Sequence, residues 1–207
     1  AALLGLPERP HAPAKQPKLD DDDLEFYRLV LEAHPRAVWA YSHRGDANLR
    51  AGRLEEAASD HGKAEPFFRT ALEKTRKDAA EGSLPVAAAL AQLGHNLLKQ
   101  KKHVEAEPLL RECLKIRELQ SPNAWTTFNA KSMLGGALLG QKKYADAEPL
   151  FIQGYEGMKQ REAQVPVQAK VRLDEALERL VQLYEARDNP KEAARWRALL
   201  AARKAAA

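Results

Sequence analysis

The sequence predicts an all-α protein built from stacked, antiparallel helix pairs, and three observations carry this prediction. The stretch LGHNLLKQKKHVEAEPL, which begins at Leu93, recurs as LGGALLGQKKYADAEPL at Leu134, 41 residues further along the chain. Alanine and leucine are abundant, whereas aromatic residues form only 6% of the 207 residues, and this composition favours helices over strands. In both copies, apolar residues follow the i, i+3, i+4, i+7 spacing of a helix that is buried along one face. Neither predicted helix buries its stripe alone, so the pairs are expected to stack.

Each copy divides into two predicted helices connected by a lysine-rich turn. Gly94 and its equivalent Gly135 fall where the two helices of a pair must cross closely, since a side chain there would hold the backbones apart. Pro108 and Pro149 lie in the opening part of the second helix, where a missing N–H costs less than in a helix interior. The stripe residues of the first copy are Leu90, Leu93, Gly94 and Leu97, followed by Ala106, Leu109, Leu110, Cys113 and Leu114.

The same offsets extend the repeat to four units and set the predicted domain boundaries. Gly45 and Ala57 keep the spacing of twelve that separates Gly94 from Ala106. The predicted segments are a Pro-rich linker or extended segment over 1–19, a partial repeat helix over 20–34, and repeats over 37–80, 86–119, 127–160 and 170–203, the last of them a C-terminal cap.

The first repeat is irregular. Its second helix can be aligned with the other repeats in two ways. One alignment places Ala57 at the recurring small position of the repeat, and the other, seven residues later, places Ala64 there. Seven residues are about two helical turns, so both alignments keep the same face. We therefore expect a lengthened second helix that is kinked or broken between Gly62 and Pro66.

These stretches resemble a known family. LLKQKKHVEAEPLLRECLKIRE and LLGQKKYADAEPLFIQGYEGMKQRE are similar to the longer tetratricopeptide repeat of kinesin light chains and of many bacterial multidomain proteins. AHPRAVWAYSHRGDANLRAGRLEEA is similar to the ordinary form of that repeat, with Arg44 at the position of a leucine. The resemblance covers residues 20–203 and implies a right-handed superhelical solenoid whose first helices line a concave groove, with a role in protein–protein interaction.

The groove residues are predicted from the buried stripes. If the stripe through Leu93 is buried, other residues of that helix face the groove, and the repeat offsets give their equivalents. Asp46, His95 and Gln182 share one slot yet differ in chemistry, as expected of a surface that packing does not constrain. An ordinary exposed polar surface is the alternative interpretation. The predicted groove residues are Ser42, His43, Asp46, Arg50, Gln92, His95, Lys99, Asn129, Ser132, Glu178, Arg179 and Gln182.

The chemistry of these positions bears on the ligand. Some tetratricopeptide repeat proteins hold chaperone tails with a clamp of lysines and asparagines. Ser42, Asp46 and Gln92 occupy positions of that clamp without matching it. Arg50, Lys99 and Arg179 favour an acidic peptide, an effect that neighbouring carboxylates partly oppose.

The sequence predicts a chain that is not an enzyme and needs neither cofactor nor metal. It contains no Gly-rich phosphate loop, nucleophile elbow or kinase signature. The histidines show no pairing at i, i+4 on one helix and no zinc-type cysteine spacing, so we expect them to be solvated or to line the groove. Cys113 aligns with Gly154 at a helix crossing, which predicts a small buried residue rather than a nucleophile.

Charge and hydropathy limit the partners. The 33 Lys and Arg residues nearly balance 29 Asp and Glu residues, so nucleic acid is not the expected ligand. No apolar run approaches the roughly 18 residues of a membrane span, and AALLGLP is too short for a signal peptide. The single cysteine forms no internal disulfide, and we expect a cytoplasmic location.

The sequence therefore predicts a module that binds a peptide or partner surface in its groove, as part of a larger bacterial protein. One alternative is a structural spacer or self-association domain, for which Trp196, Leu199 and Leu200 would supply an exposed apolar patch. Another is a regulatory domain of an enzyme encoded elsewhere in the full-length chain. No motif identifies the partner or the oligomeric state.

Overall fold

The computed structural model of the chain describes residues 27, 30, 31, 38–50 and 53–206. The predicted linker over 1–19 and most of the predicted helix over 20–34 lie outside the described residues. Eight α-helices have defined bounds in these ranges and no strand occurs there, so the described chain is all-α, as the sequence predicts. The helices are α1 (Val38–Arg50), α2 (Leu54–Asp78), α3 (Leu84–Lys99), α4 (His103–Gln120), α5 (Trp125–Gly140), α6 (Tyr144–Gln160), α7 (Val171–Ala186) and α8 (Pro190–Ala205). Two short 3-10 turns, Glu162–Gln164 and Val167–Ala169, connect α6 to α7.

The chain forms two compact units, Ala1–Phe67 and Phe68–Ala207, and their boundary lies within α2. This helix has 25 residues and runs without a break past Gly62 and through Pro66. The break that the sequence predicts there is therefore wrong, whereas the lengthening is present. A proline removes one backbone hydrogen bond, and burial of the neighbouring Ala64 offsets part of that loss.

In the first unit, polar groups join α1 to α2 where an apolar contact is expected. Arg44, at the position of the expected leucine, donates two hydrogen bonds to the Asp60 carboxylate, at 2.8 and 2.6 Å. Asn48 donates to the same carboxylate at 3.2 Å, and Arg53 donates to Asn48 at 3.0 Å. Asp60 and Asn48 are buried, and these bonds satisfy them.

A histidine fills the helix crossing of the first unit. His61 is only 2% exposed, and a Cβ on Gly45 would lie 2.9 Å from its Nε2 atom. The expectation that this histidine is solvated or lines the groove is therefore wrong, because it occupies the buried slot opposite the glycine. An apolar cluster of this unit contains Val30, Leu31 and Ala40, with Tyr27 and Tyr41 packed against them.

The second unit contains three consecutive helix pairs, α3 with α4, α5 with α6, and α7 with α8. Each helix packs against the next, and α5 also contacts both α3 and α7. The first helices α3, α5 and α7 thus form one layer, and the second helices form the other. One continuous apolar core runs between them, and it includes Leu72 from the C-terminal part of α2.

Glycine allows the close crossing within two of these pairs. A Cβ on Gly94 would lie 2.6 Å from Leu110 Cδ2, and one on Gly135 would lie 2.8 Å from the ring of Phe151. Leu110 and Phe151 are fully buried. The repeated glycine is therefore a packing requirement, because any side chain would occupy the space of the facing residue.

The turn between the helices of each pair uses a left-handed residue. Lys101, Lys142 and Asp188 have φ angles of 60°, 62° and 52°. The residue that follows each of them donates its N–H back to the helix, as Lys102 does to the Leu97 carbonyl at 2.9 Å. This pattern provides hydrogen-bond donors to carbonyl groups at the helix C-terminus that otherwise have none. Glycine is the residue that adopts the left-handed conformation with least strain.

The sequence Ala-Glu-Pro (AEP) recurs at residues 106–108 and 147–149, and we call it the AEP phrase. Its glutamate links each helix pair to the next. Glu107 accepts hydrogen bonds from Gln141 at 2.6 Å and from Lys143 at 3.0 Å, both in the following turn. The equivalent Glu148 accepts from the Tyr184 hydroxyl at 2.6 Å and also pairs with Arg187. The phrase therefore recurs because each copy stabilises the stacking of its neighbour.

The proline of the same phrase lies deeper in its helix than the sequence predicts. Pro108 is the sixth residue of α4 and Pro149 the sixth of α6, just beyond the first turn with its free N–H groups. Each proline thus costs one backbone hydrogen bond, and both helices continue without a break.

Candidate functional site

Side chains of α3 and α7 meet across α5 in the second unit. His95 Nε2 lies 3.1 Å from Arg172 Nη1, and Lys99 Nζ lies 3.0 Å from Glu175 Oε1. Packed helices have axes about 8–10 Å apart, so α3 and α7 would stand roughly 16–20 Å apart in a flat layer. Direct contact between their side chains shows that α3, α5 and α7 line a face that curves inwards. We call this the inner face.

Small residues on α5 leave room for this contact. Arg179 of α7 lies over Gly136, where a Cβ would be 3.3 Å from Arg179 Nε. Its Nη1 donates to Ser132 Oγ at 3.0 Å, and its Nη2 lies 3.6 Å from Glu175 Oε2. The group formed by His95, Lys99, Ser132, Arg172, Glu175 and Arg179 is hereafter the bridging cluster.

The bridging cluster has unequal charge and little exposure to solvent. Lys99, Arg172 and Arg179 surround the single carboxylate of Glu175, whose side chain is 13% exposed. Burial by itself would raise the pKa of Glu175, but the charges around it outweigh burial and hold that pKa well below its usual range. Burial and the adjacent Arg172 lower the pKa of His95 well below its usual value. The carboxylate is therefore ionised and the imidazole neutral at pH 7.

The structure separates the other groove residues predicted in this unit. Gln92 and Gln182 are exposed and lie outside the cluster, although Gln182 shares a repeat slot with His95. Asn129 is half-buried, and its Oδ1 atom has no hydrogen-bond partner among the described residues. Glu178 pairs with Lys204 of α8 at 2.9 Å, so its charge is already compensated.

The predicted groove residues of the first unit form their own contacts. His43 stacks on Tyr27 with ring centroids 6.2 Å apart, and the Asp46 carboxylate lies 3.6 Å from His61 Nε2. Ser42 and Arg50 belong to α1, but their side chains lie outside the described residues.

Sequence reasoning missed one member of the bridging cluster, Arg172, whereas the repeat offsets place Glu175 on the predicted groove face of α7. Arg172 and Glu175 lie at i and i+3 of α7, with Arg179 a further four residues on, so all three share one face of the helix. This spacing was readable from the sequence. Arg172 was overlooked because it belongs to the first turn of α7, which aligns with no groove position of the other repeats.

The described residues offer little for other chemistry. Cys113 is fully buried, and burial raises the pKa of its thiol, so it is a core residue. No group of three or more His, Cys, Asp or Glu side chains in the described ranges is placed to hold a metal ion. Within the same ranges, no helix has the length and apolarity to cross a membrane.

The described architecture, stacked helix pairs with a curved inner layer, is that of an all-helical repeat solenoid. Comparison with known proteins names the repeat: residues 85–160 match the family model described as tetratricopeptide repeat. These residues correspond to α3–α6, so the match to the tetratricopeptide repeat covers two of the helix pairs. Repeats of this family generally act as non-catalytic scaffolds that bind other proteins.

One solved structure agrees with the fold, and a second is reported for comparison. BtubC (BKLC) from P. vanneervenii is 16% identical, and the match covers 90% of this chain and 88% of that one with a TM-score of 0.58. A Podospora anserina structure of nearly identical TPR-like repeats, assigned as a kinesin light chain, is 14% identical and covers 88% of this chain and 85% of its own, with a TM-score of 0.47. No curated protein matches the chain. At these identities the structural likeness shows the fold alone.

Proposed function

We propose that this protein is an interaction module whose inner face binds an extended peptide or a surface loop of a partner protein. The observation that carries the proposal is the contrast between two sets of repeat positions. His95, Gly136 and Gln182 occupy one slot of the inner face and share no chemistry, whereas the adjacent packing slots keep small or apolar residues. Positions whose chemistry varies between repeats can contact the side chains of a ligand selectively.

Exposed amides flank the bridging cluster and provide the first contacts in this proposal. Gln92 and Gln182 are exposed, so each can donate to and accept from a peptide backbone. The excess of cations in the bridging cluster favours an acidic group on the ligand. Affinity would come from side chains buried on the inner face, and specificity from the slots that vary between helices.

The proposal is tested by selecting ligands from a phage-displayed library of random peptides on the immobilised protein. We expect the double variant Gln92→Glu/Gln182→Glu to bind the selected peptides about tenfold more weakly, because it places two negative charges on the inner face. The matched control Ala194→Glu/Ala198→Glu puts the same charges on exposed positions of α8 and should bind normally. Circular dichroism checks the folding of both. The proposal is overturned if no peptide is enriched, or if the inner-face variant binds as well as the control.

The self-association alternative has no support from the residues that suggested it. Trp196 is only 5% exposed and packs edge-on against Tyr155 at 5.8 Å, and Leu200 is partly buried in the same core. Of the three residues, only Leu199 is exposed, at 36%. The exposed patch expected there is therefore absent. A regulatory role, a larger bacterial parent protein and a cytoplasmic location stay predictions from the sequence.

A further inference from the structure

A cavity of about 350 Å³ lies on the outer face of the second unit, which we define as the layer of second helices opposite the inner face. Its wall is formed by α4, and Leu134 of α5 lies at its base. Leu114 and Leu134 are buried and give the cavity an apolar floor, whereas the other residues around it are exposed. We call it the outer cavity, and its lining residues are Arg111, Leu114, Lys115, Glu118, Leu119 and Leu134.

The equivalent positions one helix pair further along hold aromatic side chains. The repeat offsets align Leu114 with Tyr155 of α6, and they align Leu150 of α6 with Trp196 of α8. Tyr155 and Trp196 are buried and pack edge to face, with ring centroids 5.8 Å apart. The Arg195 guanidinium lies 5.2 Å from the Trp196 ring centroid. Leucine is smaller than either aromatic residue, and the outer cavity lies against Leu114. The molecule itself therefore shows which kind of side chain suits this junction.

The rim of the outer cavity carries a cation that a ligand can use. Arg111 pairs with Glu107 at 2.7 Å, and Glu118 pairs with Lys131 at 3.2 Å, so both rim charges already have partners. Lys115 is exposed and forms no ion pair with the described residues. The negative face of an aromatic ring attracts a cation within about 6 Å. The charge of Lys115 is thus complementary to an aromatic ring in the cavity.

The size and apolar surface of the outer cavity also suit a large ring. A closed apolar cavity of about 150 Å³ accommodates benzene, so about 350 Å³ leaves room for the two fused rings of an indole. Leu119 lines the cavity and is 76% exposed, more than any other large apolar side chain in the described part of the chain. A ring that covered Leu119 would remove this apolar area from water, which is favourable.

We propose that the outer cavity binds a large aromatic side chain, such as tryptophan, that a partner protein presents. The ring packs on Leu114 and Leu134, Leu119 covers its edge, and Lys115 contacts its face. This site lies on the layer opposite the inner face, so it goes beyond the proposed function. Either site can fail its test without affecting the other.

The test uses the peptides acetyl-Gly-Gly-X-Gly-Gly-amide, in which X is tryptophan, leucine or alanine. The intact protein carries ¹³C in its leucine methyl groups, because the face of an aromatic ring shifts the NMR signals of nearby methyl groups upfield. With the tryptophan peptide we expect saturable upfield shifts at Leu114, Leu119 and Leu134 and none at Leu200 in α8. The leucine peptide should bind about tenfold more weakly, and the alanine peptide should not bind.

Variants separate a built site from general apolar attraction. Leu114→Tyr introduces the side chain of the equivalent position and fills the cavity, so it should weaken binding of the tryptophan peptide about tenfold or more. Val104→Tyr is the matched control, because Val104 is 72% exposed on the same helix and does not line the cavity. Lys115→Gln should weaken binding about two- to fivefold, and Lys115→Arg, which keeps a cation, should preserve it. Equal binding by Leu114→Tyr and Val104→Tyr would overturn the proposal.

Three further outcomes bear on the proposal. If the leucine peptide binds as tightly as the tryptophan peptide, the aromatic assignment is wrong. If the same methyl signals shift when the protein alone is concentrated, a second copy of the chain covers the cavity, and the proposal is overturned. If circular dichroism shows that Leu114→Tyr is unfolded, Leu119→Ser takes its place, since that side chain is exposed. Leu119→Ser should weaken binding about threefold or more, and unchanged binding would contradict the proposal.

Discussion

At the scale of single residues, Glu107 shows why the repeated Ala-Glu-Pro stretch keeps its glutamate. Burial alone would raise its pKa, but hydrogen bonds from Lys143, Arg111 and Gln141 lower it to about 2. Its side chain is 14% exposed, so water does little to weaken these bonds. The same residue thus binds its own helix and the next turn, and links one pair to its neighbour.

Replacing Glu107 by glutamine should lower the free energy of unfolding by about 1–3 kcal/mol at pH 7, because charge-assisted hydrogen bonds to two cations are lost. The folded-state pKa of about 2 lies below the ordinary value of 4.5. The contribution of Glu107 is therefore present above pH 4.5 and is lost as the pH falls towards 2. Urea unfolding at several pH values measures this, and the native and variant curves should converge in acid.

Glu105→Gln is the control for this prediction. Glu105 pairs with Arg69 at 2.7 Å, but both side chains are about half exposed, at 52% and 44%. Exposed pairs contribute about 0–1 kcal/mol, so this change should have a small effect. Equal losses in the two variants would show that Glu107 has no special role.

At the scale of elements, the turns are less favourable than their sequence could make them. Lys101 and Lys142 adopt left-handed φ angles of 60° and 62°, a conformation that costs a residue with a Cβ about 1–2 kcal/mol. Glycine adopts it freely but loses more conformational freedom on folding. The balance favours glycine at these two positions.

Lys101→Gly should therefore raise the free energy of unfolding by about 0.5–1 kcal/mol. Lys115→Gly is the matched control, since Lys115 has the same side chain and lies exposed in the interior of α4. That change should lower stability, because glycine gains nothing there and makes the unfolded chain more flexible. Thermal unfolding followed by circular dichroism compares the two, and shifts in the same direction would contradict the turn argument.

At the scale of the whole molecule, contacts within the second unit join helix pairs that are not adjacent in the chain. The AEP glutamates link each pair to the next, whereas Lys99 and Glu175 link α3 to α7 across the intervening pair. The last pair carries Ala194, which is exposed, at the position equivalent to Glu107 and Glu148. The carboxylate that links the earlier pairs is therefore absent from α8.

Glu175→Gln should destabilise the second unit by about 3–5 kcal/mol, because it leaves three cations of the bridging cluster without their carboxylate. The change is isosteric, so packing is preserved and the loss reports on charge. Adding Lys99→Met should recover part of it, since one of the uncompensated charges is removed. Denaturant titration measures both variants. A Glu175→Gln protein as stable as the native one would mean that the cluster is balanced by solvent.

The sequence by itself determined the helix pairs, their order and the residues at the helix crossings. These features depend on spacings of a few residues and on a short repeat, so Gly94, Gly135 and the AEP phrase were readable without coordinates. The lengthened α2 was readable for the same reason, from two alignments seven residues apart. Its continuity through Pro66 was not, because packing rather than local preference decided it.

The bridging cluster was decided by the tertiary structure. Its members on α3 and α7 are some 76 residues apart in sequence, as Lys99 and Glu175 illustrate, and they meet only because the inner face curves and Gly136 leaves space. The repeat pattern placed His95, Lys99, Ser132 and Arg179 on one surface but could not show that their charges converge. Curvature arises from the packing of whole helices, and no local pattern of residues encodes it.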